Sequence, residues 1–138
     1  PRSTLFPYTT LFQSRDKAAE ELGIKLICFT SFSDSYSSKT YQKFQRYNEG
    51  DIVAIELPDL DDFDGVIINP AAYTHYSYAI RDALLILNVP VVEVHLTDIT
   101  QRDEFRRHSV ISDICAKTIM GKGFEGYKEA LEFFFDLL

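Results

Sequence analysis

Short apolar runs alternate with amphipathic segments along most of the chain. The runs that read as strands are rich in β-branched residues and stop at Gly, Pro or polar residues: "IKLICFTS", "GVIINP", "VPVVEVHL" and "AKTIMG". The segments with helical apolar spacing are "DKAAEELG", "SYAIRDALLILN" and "EGYKEALEFFFDLL". Nearly continuous apolar strands separated by helices predict an α/β fold with a parallel sheet covered on both faces, and ligand-binding residues at the carboxyl ends of its strands.

The pattern is least regular between Phe32 and Asp64. A Ser-rich turn opens this part, the spacing predicts a helix near Lys39 to Tyr47, and Pro58 marks a break. The acidic stretch "PDLDDFD" that follows is typical of a solvated loop.

Composition narrows the class of protein. A chain of 138 residues, 46% of them apolar, fits one domain with one core. A net charge of -7 argues against a nucleic-acid partner, because phosphate binding needs concentrated Lys and Arg. Cys28 and Cys115 both lie in apolar segments, which favours buried free thiols over a disulfide or a metal site.

No apolar run approaches the roughly 20 residues that a membrane span needs, and no signal peptide is visible. We therefore expect a soluble, cytoplasmic protein that makes no membrane contact.

Two polar residues interrupt the apolar run "VPVVEVHL". Glu93 and His95 are two positions apart, so on a strand both side chains project from one face and the carboxylate can orient the imidazole. A buried structural histidine is the alternative. Asn69, at the end of "GVIINP", and His75 in the loop after it are further candidates, although by themselves they are better explained by turn chemistry.

The segment "QRDEFRRHS" brings Arg102, Arg106 and Arg107 close together in an acidic protein. Such a cluster indicates a site for a hydroxylated or carboxylated ligand. The alternative is a solvated helix face that pairs with Asp103 and Glu104.

"GKGFEG", from Gly121 to Gly126, fits the glycine spacing of a dinucleotide site, but the second strand and the acidic residue that such a site requires do not follow it. We interpret these glycines as permitting a tight turn and close packing of the last helix.

Four blocks in order resemble the type II 3-dehydroquinate dehydratases: "DGVIINPAAYTHYSYAIRDAL", "VPVVEVHLTDI", "RDEFRRHSVIS" and "GKGFEGYKEAL". The resemblance implies a flavodoxin-like three-layer fold, a homododecamer built from trimers and no cofactor or metal. It also implies the dehydration of 3-dehydroquinate to 3-dehydroshikimate, in aromatic biosynthesis or quinate breakdown, by anti elimination through an enolate.

The resemblance also implies roles for residues in the reacting part of the site. His95 is the expected general acid, Glu93 the residue that holds its tautomer, and Asn69 the residue that stabilises the enolate oxygen through a bound water.

Binding roles follow from the same resemblance. Backbone amides of Leu96 and Thr97 are expected to bind the substrate carboxylate, while His75 and Arg106 hold the ring hydroxyls. Asp82 matches a position that contacts the site of a neighbouring subunit.

Two positions depart from the family pattern. Ala71 stands where the family usually has glycine, and Asp98 stands where asparagine is usual. The first is expected to tighten the loop, and the second adds charge near a carboxylate site.

The opening stretch "TLFPYTTLFQS" resembles a translated sequencing adapter. We expect residues 1–14 to be non-native and residues 15–138 to form a single dehydroquinase-like α/β domain. The family begins with an inner strand reading Asn-Gly-Pro-Asn-Leu and a loop that carries an arginine and the tyrosine base. Neither is present, so we expect the first strand to be missing or replaced and this chain to be truncated, poorly stable and impaired.

Two other functions remain open. One is a non-catalytic small-molecule-binding or interaction module on the same fold, because fold alone does not fix function. The other is a hydrolase that uses Glu93 and His95 with Ser77 as nucleophile, although no nucleophile-elbow motif supports it.

Overall fold

A parallel sheet forms the centre of the molecule. The computed structural model describes residues 26–30, 41–46 and 63–137. Within them the strands run in the order β2-β1-β3-β4-β5, and every neighbouring pair is parallel. The strands are β1 Leu26–Thr30, β2 Tyr41–Arg46, β3 Gly65–Ile68, β4 Val91–His95 and β5 Lys117–Met120; the helices are α1 Tyr78–Leu85 and α2 Glu125–Leu137. The predicted α/β fold with a parallel sheet is confirmed.

The inner place of the sheet is filled by β1. Leu26 is paired with Tyr41 of β2 on one side and with Gly65 of β3 on the other. The segment "LICFT" therefore takes an inner position in the described sheet. Residues 1–14 and the predicted helix "DKAAEELG" lie outside the described residues.

The predicted helix near Lys39 to Tyr47 is wrong. Tyr41–Arg46 is the strand β2, which pairs in parallel with β1. The aromatic residues Tyr41 and Phe44 favour extended backbone, and pairing with an inner strand supplies hydrogen bonds that outweigh a weak local helix preference.

Both faces of the sheet are covered, as the apolar strands predict. Successive residues of β3 and β4 alternate between a face under α2 and a face under α1. Buried residues on the α2 face are Leu26, Ile67, Val92, Val94, Ile119, Tyr127, Ala130, Leu131 and Phe134. Those on the α1 face are Val66, Ile68, Ile80, Leu84, Val91 and Ile111. Glu93 and His95 share the face of Val91, so they point towards the α1 side.

The glycine-rich segment after β5 is a turn into α2. Gly121 and Gly123 have φ angles of +79° and +55°, a region that glycine adopts readily. A Cβ atom at Gly126 would lie 3.2 Å from Val94 Cγ1 and 3.3 Å from Ile119 Cγ2. The prediction of a tight turn and close helix packing is confirmed.

Arg81 joins α1 to the loop before β5. Its guanidinium pairs with both carboxylate oxygens of Asp113 and donates to the Val110 carbonyl oxygen at 2.7 Å.

Neither helix in the described part of the chain has the length and apolarity that a membrane span needs.

The tightest contact between the sheet and α2 is at Gly65. A Cβ atom there would come within 2.1 Å of Phe134 Cε1. We expect Gly65→Ala to lower the free energy of unfolding by about 1–3 kcal/mol, because the phenyl ring must move out of a packed core. Denaturant unfolding measures this. The same change made in a Phe134→Leu background should cost less; an equal cost in both backgrounds would show that the ring contact is not the cause.

Candidate active site

A buried carboxylate and a buried imidazole lie side by side at the carboxyl end of β4. Glu93 is 0% exposed and His95 is 2% exposed. His95 Nε2 lies 2.6 Å from Glu93 Oε1. The prediction that the two side chains share one face of a strand is confirmed.

The contact with Glu93 determines which ring nitrogen of His95 carries a hydrogen atom. A carboxylate can only accept hydrogen bonds, so Nε2 carries the hydrogen in this contact. Nδ1 is then the ring nitrogen that can take up or release a proton, and Glu93 can stabilise the positive charge that uptake creates.

Hydroxyl groups surround the Glu93 carboxylate. Thr74 Oγ1 donates to Oε1 at 2.5 Å and Ser109 Oγ donates to the same oxygen at 2.7 Å. Thr118 Oγ1 lies farther away, 3.4 Å from Oε2. None of these three residues was among those expected from the sequence. The only available signal was that Thr74 and Ser109 adjoin His75 and His108.

These contacts determine the ionisation of Glu93. Burial disfavours its charged form and acts to raise its pKa, but hydrogen bonds from His95, Thr74 and Ser109 outweigh burial. The pKa of Glu93 therefore lies below its ordinary value, and the carboxylate is charged at neutral pH.

Asn69 follows β3, the neighbour of β4, and its side chain is fixed at both ends. Its Nδ2 donates to the hydroxyl of Tyr127 at 2.9 Å, and its Oδ1 accepts from the Ala71 amide at 3.1 Å. Nδ2 carries two hydrogens, so one can serve a ligand or a water. Tyr127, which is buried in α2, was not among the predicted site residues.

The loop after Asn69 is strained at Ala71. Its φ angle is +52°, in the left-handed region that costs a residue with a Cβ atom about 1–2 kcal/mol. The family's usual glycine has no such cost. The 3-10 turn Ala71–His75 that begins here carries Thr74 and His75 towards the site.

His75 is oriented by a main-chain contact. Its Nδ1 lies 2.7 Å from the His108 carbonyl oxygen, so Nδ1 donates and Nε2 is left to accept. Arg102 Nη1 approaches that Nε2 at 3.4 Å, and Arg102 Nη2 donates to Thr97 Oγ1 at 2.7 Å. Arg102 is thus the arginine that links two predicted binding residues.

The other two arginines of the cluster have different contacts. Arg106 donates to Asp103 Oδ2 at 3.1 Å and its side chain is 46% exposed, while Arg107 donates to the Arg102 carbonyl oxygen. The structure does not bring Arg106 into hydrogen-bond contact with His75 or Thr97. Its binding role stays a prediction.

Asp98 begins the 3-10 turn Ile99–Gln101 that follows β4. Its Oδ1 accepts from the Thr100 hydroxyl at 2.6 Å and from the Thr100 amide at 2.9 Å, and these bonds lower its pKa. The added charge thus caps the turn Ile99–Gln101, which directly follows Leu96, Thr97 and Asp98.

Asp82 lies apart from the other candidates. It is exposed on α1, and within the described chain no hydrogen bond joins it to Glu93, His95 or Asn69.

Cys115 is a free thiol beside the carboxylate site. Burial, with the negative charges of Glu93 and Asp113, raises its pKa to about 12, so it is an unreactive thiol at neutral pH. The side chain of Cys28 lies outside the described residues. In the described ranges, no group of three His, Cys, Asp or Glu side chains is placed to hold a metal ion.

A buried Glu-His pair and an asparagine at the carboxyl ends of adjacent parallel strands are typical of an α/β enzyme site. Comparison with known proteins identifies the family. The family model described as "Dehydroquinase class II" matches residues 9–135. The chain belongs to this family.

Named relatives and solved structures agree. The 3-dehydroquinate dehydratases of Bacillus cereus and Bacillus mycoides are 43% and 42% identical over 122 residues, which are 88% of this chain and 73% of each relative. The crystal structure of type II dehydroquinase from Butyrivibrio crossotus has a TM-score of 0.64 and 31% identity, covering 80% of this chain and 95% of that one. The enzyme from Propionibacterium acnes has a TM-score of 0.65 and 30% identity, over 80% and 93% of the chains. The flavodoxin-like fold predicted from the sequence is that of these relatives.

We expect Ala71→Gly to raise the free energy of unfolding by about 1 kcal/mol, because glycine adopts a positive φ without the steric cost. Ala72→Gly is the matched control and should lower it, since Ala72 has no positive φ. Chemical denaturation measures the free energy of unfolding of both variants. A lower value for Ala71→Gly than for the wild type would show that the backbone at Ala71 is not strained.

At neutral pH, Glu93→Gln should lower the free energy of unfolding by about 1–3 kcal/mol, because the amide group of Gln faces hydrogen-bond donors. The pKa of Glu93 is depressed from 4.5, so its stabilisation is complete above that pH and is lost as the pH falls through the folded-state pKa. The gap between wild type and variant should therefore narrow in acid. Unfolding curves across pH measure it, with Asp103→Asn as an exposed control; a gap that is constant down to about pH 3 would contradict the assignment.

Proposed function

We propose that this chain dehydrates 3-dehydroquinate to 3-dehydroshikimate by an anti elimination through an enolate. The observation that carries the proposal is the buried Glu93–His95 pair, with 2.6 Å between Oε1 and Nε2, in a chain of the class II dehydroquinase family. The relatives named 3-dehydroquinate dehydratase supply the substrate.

In this proposal His95 is the general acid. Its Nδ1 gives a proton to the departing hydroxyl group, the carbon–oxygen bond breaks, and water leaves. Glu93 supports this step because its charge stabilises the imidazolium before transfer and its contact with Nε2 fixes which nitrogen carries the mobile proton.

Asn69 serves the enolate that forms when the proton next to the ketone is removed. Its amide is held by Tyr127 and Ala71, so a hydrogen-bond donor is already oriented before charge develops on the oxygen. Stabilisation of a developing oxyanion by a fixed donor, here through a water, is a large contribution to catalysis.

Loops around the Glu93–His95 pair bind the rest of the substrate in this proposal. The amides of Leu96 and Thr97 take the carboxylate, while His75 and Arg106 take the ring hydroxyls. The hydrogen bond from Arg102 to Thr97 favours Arg102 as a further member of this set.

We assign the base to no described residue.

We also propose that the chain assembles as a trimer-based dodecamer in which Asp82 reaches a neighbouring site. Exposed apolar side chains at Tyr78, Leu85 and Ile86 accompany Asp82 on or beside α1, and such surfaces suit subunit contacts.

The cytoplasm is the proposed compartment, because a free thiol such as Cys115 is usual where disulfides do not persist.

A binding module on the same fold is the second candidate, because no described residue is assigned as the base of the elimination. A hydrolase is disfavoured, because Ser77 is buried and its hydroxyl accepts from the Ile80 amide as the cap of α1.

His95→Asn should lower kcat by about 100-fold or more while the fold is kept, because the proton donor of the elimination is lost. Formation of the conjugated product is followed by ultraviolet absorbance. His108→Asn, a change of an exposed histidine, is the matched control and should keep its rate. Wild-type chain that binds 3-dehydroquinate without turning it over would favour the binding module; equal rates in wild type and His95→Asn would remove His95 as the acid.

A further inference from the structure

Two hydroxyl groups, that of buried Thr74 and that of half-buried Ser109, converge on one oxygen atom of Glu93. Thr74 Oγ1 and Ser109 Oγ lie 2.5 and 2.7 Å from Oε1 and 2.9 Å from each other. Each hydroxyl has a single hydrogen and an ionised carboxylate can only accept, so both hydrogens point to the carboxylate.

The direction of the Ser109 hydrogen is fixed by its neighbours. Ser109 Oγ accepts from the amides of Ile111 and Ser112 at 3.2 and 3.0 Å. These two bonds occupy the lone pairs of the oxygen and leave the hydrogen for Glu93. The Thr74 carbonyl in turn accepts from the Val110 amide at 2.7 Å, so the two hydroxyls belong to segments that are tied together.

The same segments hold the other histidine of the site. His75 follows Thr74 directly, and its Nδ1 donates to the carbonyl oxygen of His108, which precedes Ser109. The hydroxyl pair therefore connects the Glu93–His95 pair to the His75 side of the site.

We propose that Thr74 and Ser109 are positioning residues for the dehydration, whose hydroxyls hold Glu93 as a carboxylate in the place that keeps the hydrogen of His95 on Nε2. This inference rests on the proposed function. Neither hydroxyl needs to touch the substrate, because both act through Glu93.

Loss of either hydroxyl should affect the chemical step more than binding. With one donor fewer, buried Glu93 holds its charge less well and supports the imidazolium of His95 less well. The titratable groups that face Glu93 within the described chain are His95 and Cys115, and the thiol stays protonated. The effect should thus reach the reaction through His95.

The test uses the full chain with Thr74→Val, which keeps the shape and removes the hydroxyl, and Ser109→Ala. Thr74→Ser restores the hydroxyl, and Thr118→Val is the matched control, since its hydroxyl contacts the same carboxylate at 3.4 Å. We expect kcat to fall roughly tenfold in Thr74→Val and Ser109→Ala with KM little changed, and to recover in Thr74→Ser. Thr118→Val should change kcat by less than about twofold.

The second readout is the two-bond proton–nitrogen NMR spectrum of the His95 ring, which does not depend on turnover. Wild type should show hydrogen on Nε2, and Thr74→Val and Ser109→Ala should show a mixture of tautomers. If Ser109→Ala does not fold because its turn is lost, Thr74→Val decides.

The proposal would be overturned if Thr74→Val had the kcat and the His95 spectrum of the wild type. It would also be overturned if Thr118→Val lowered kcat as much as Thr74→Val does. If the wild-type chain shows no turnover, the proposed function fails by itself, and the NMR comparison still decides whether the hydroxyls position the pair.

Discussion

The structure depends on keeping one charged carboxylate in the centre of the molecule. Glu93 lies on β4 between two other strands, with no exposed surface. Desolvation of an ionised carboxylate costs several kcal/mol unless hydrogen-bond donors replace water. The close donors come from three segments: the turn after β3, the loop before β5 and β4 itself. A buried charge of this kind ties the segments together, because loss of any close donor leaves part of the desolvation uncompensated.

The parallel sheet explains why these groups meet. Asn69 and His95 end neighbouring strands that run in the same direction, so both lie at the carboxyl edge of the sheet. From the α2 face, the Tyr127 hydroxyl contacts Asn69 at this edge. The buried cluster described on that face is otherwise made of apolar side chains. Its packing, including the close approach of Gly65 to Phe134, sets the position of the sheet under the site.

The spacing of apolar residues and glycines along the sequence was enough to predict the parts of the molecule that follow a regular local pattern. Strands β1, β3, β4 and β5, the shared face of Glu93 and His95, and the turn between β5 and α2 all follow from local pattern. β2 was missed because the spacing of its residues weakly favours a helix, whereas its aromatic residues and its pairing with β1 favour a strand. The hydroxyl groups of Thr74 and Ser109 could not be foreseen, since Thr and Ser are frequent in loops and nothing local shows which of them face a distant carboxylate. The arginine contacts were open for the same reason: Arg102 and Arg106 look alike in sequence, and the turn geometry alone directs one to Thr97 and the other to Asp103.

The assignment of His95 as the general acid can be checked in a crystal structure with 3-dehydroquinate or its product bound. We expect the oxygen of the departing hydroxyl, or the water that replaces it, to lie within about 3 Å of His95 Nδ1 while Nε2 keeps its contact with Glu93. The ligand carboxylate should meet the amides of Leu96 and Thr97. A ligand bound at another surface, or one whose hydroxyl meets no ring nitrogen of His95, would contradict it.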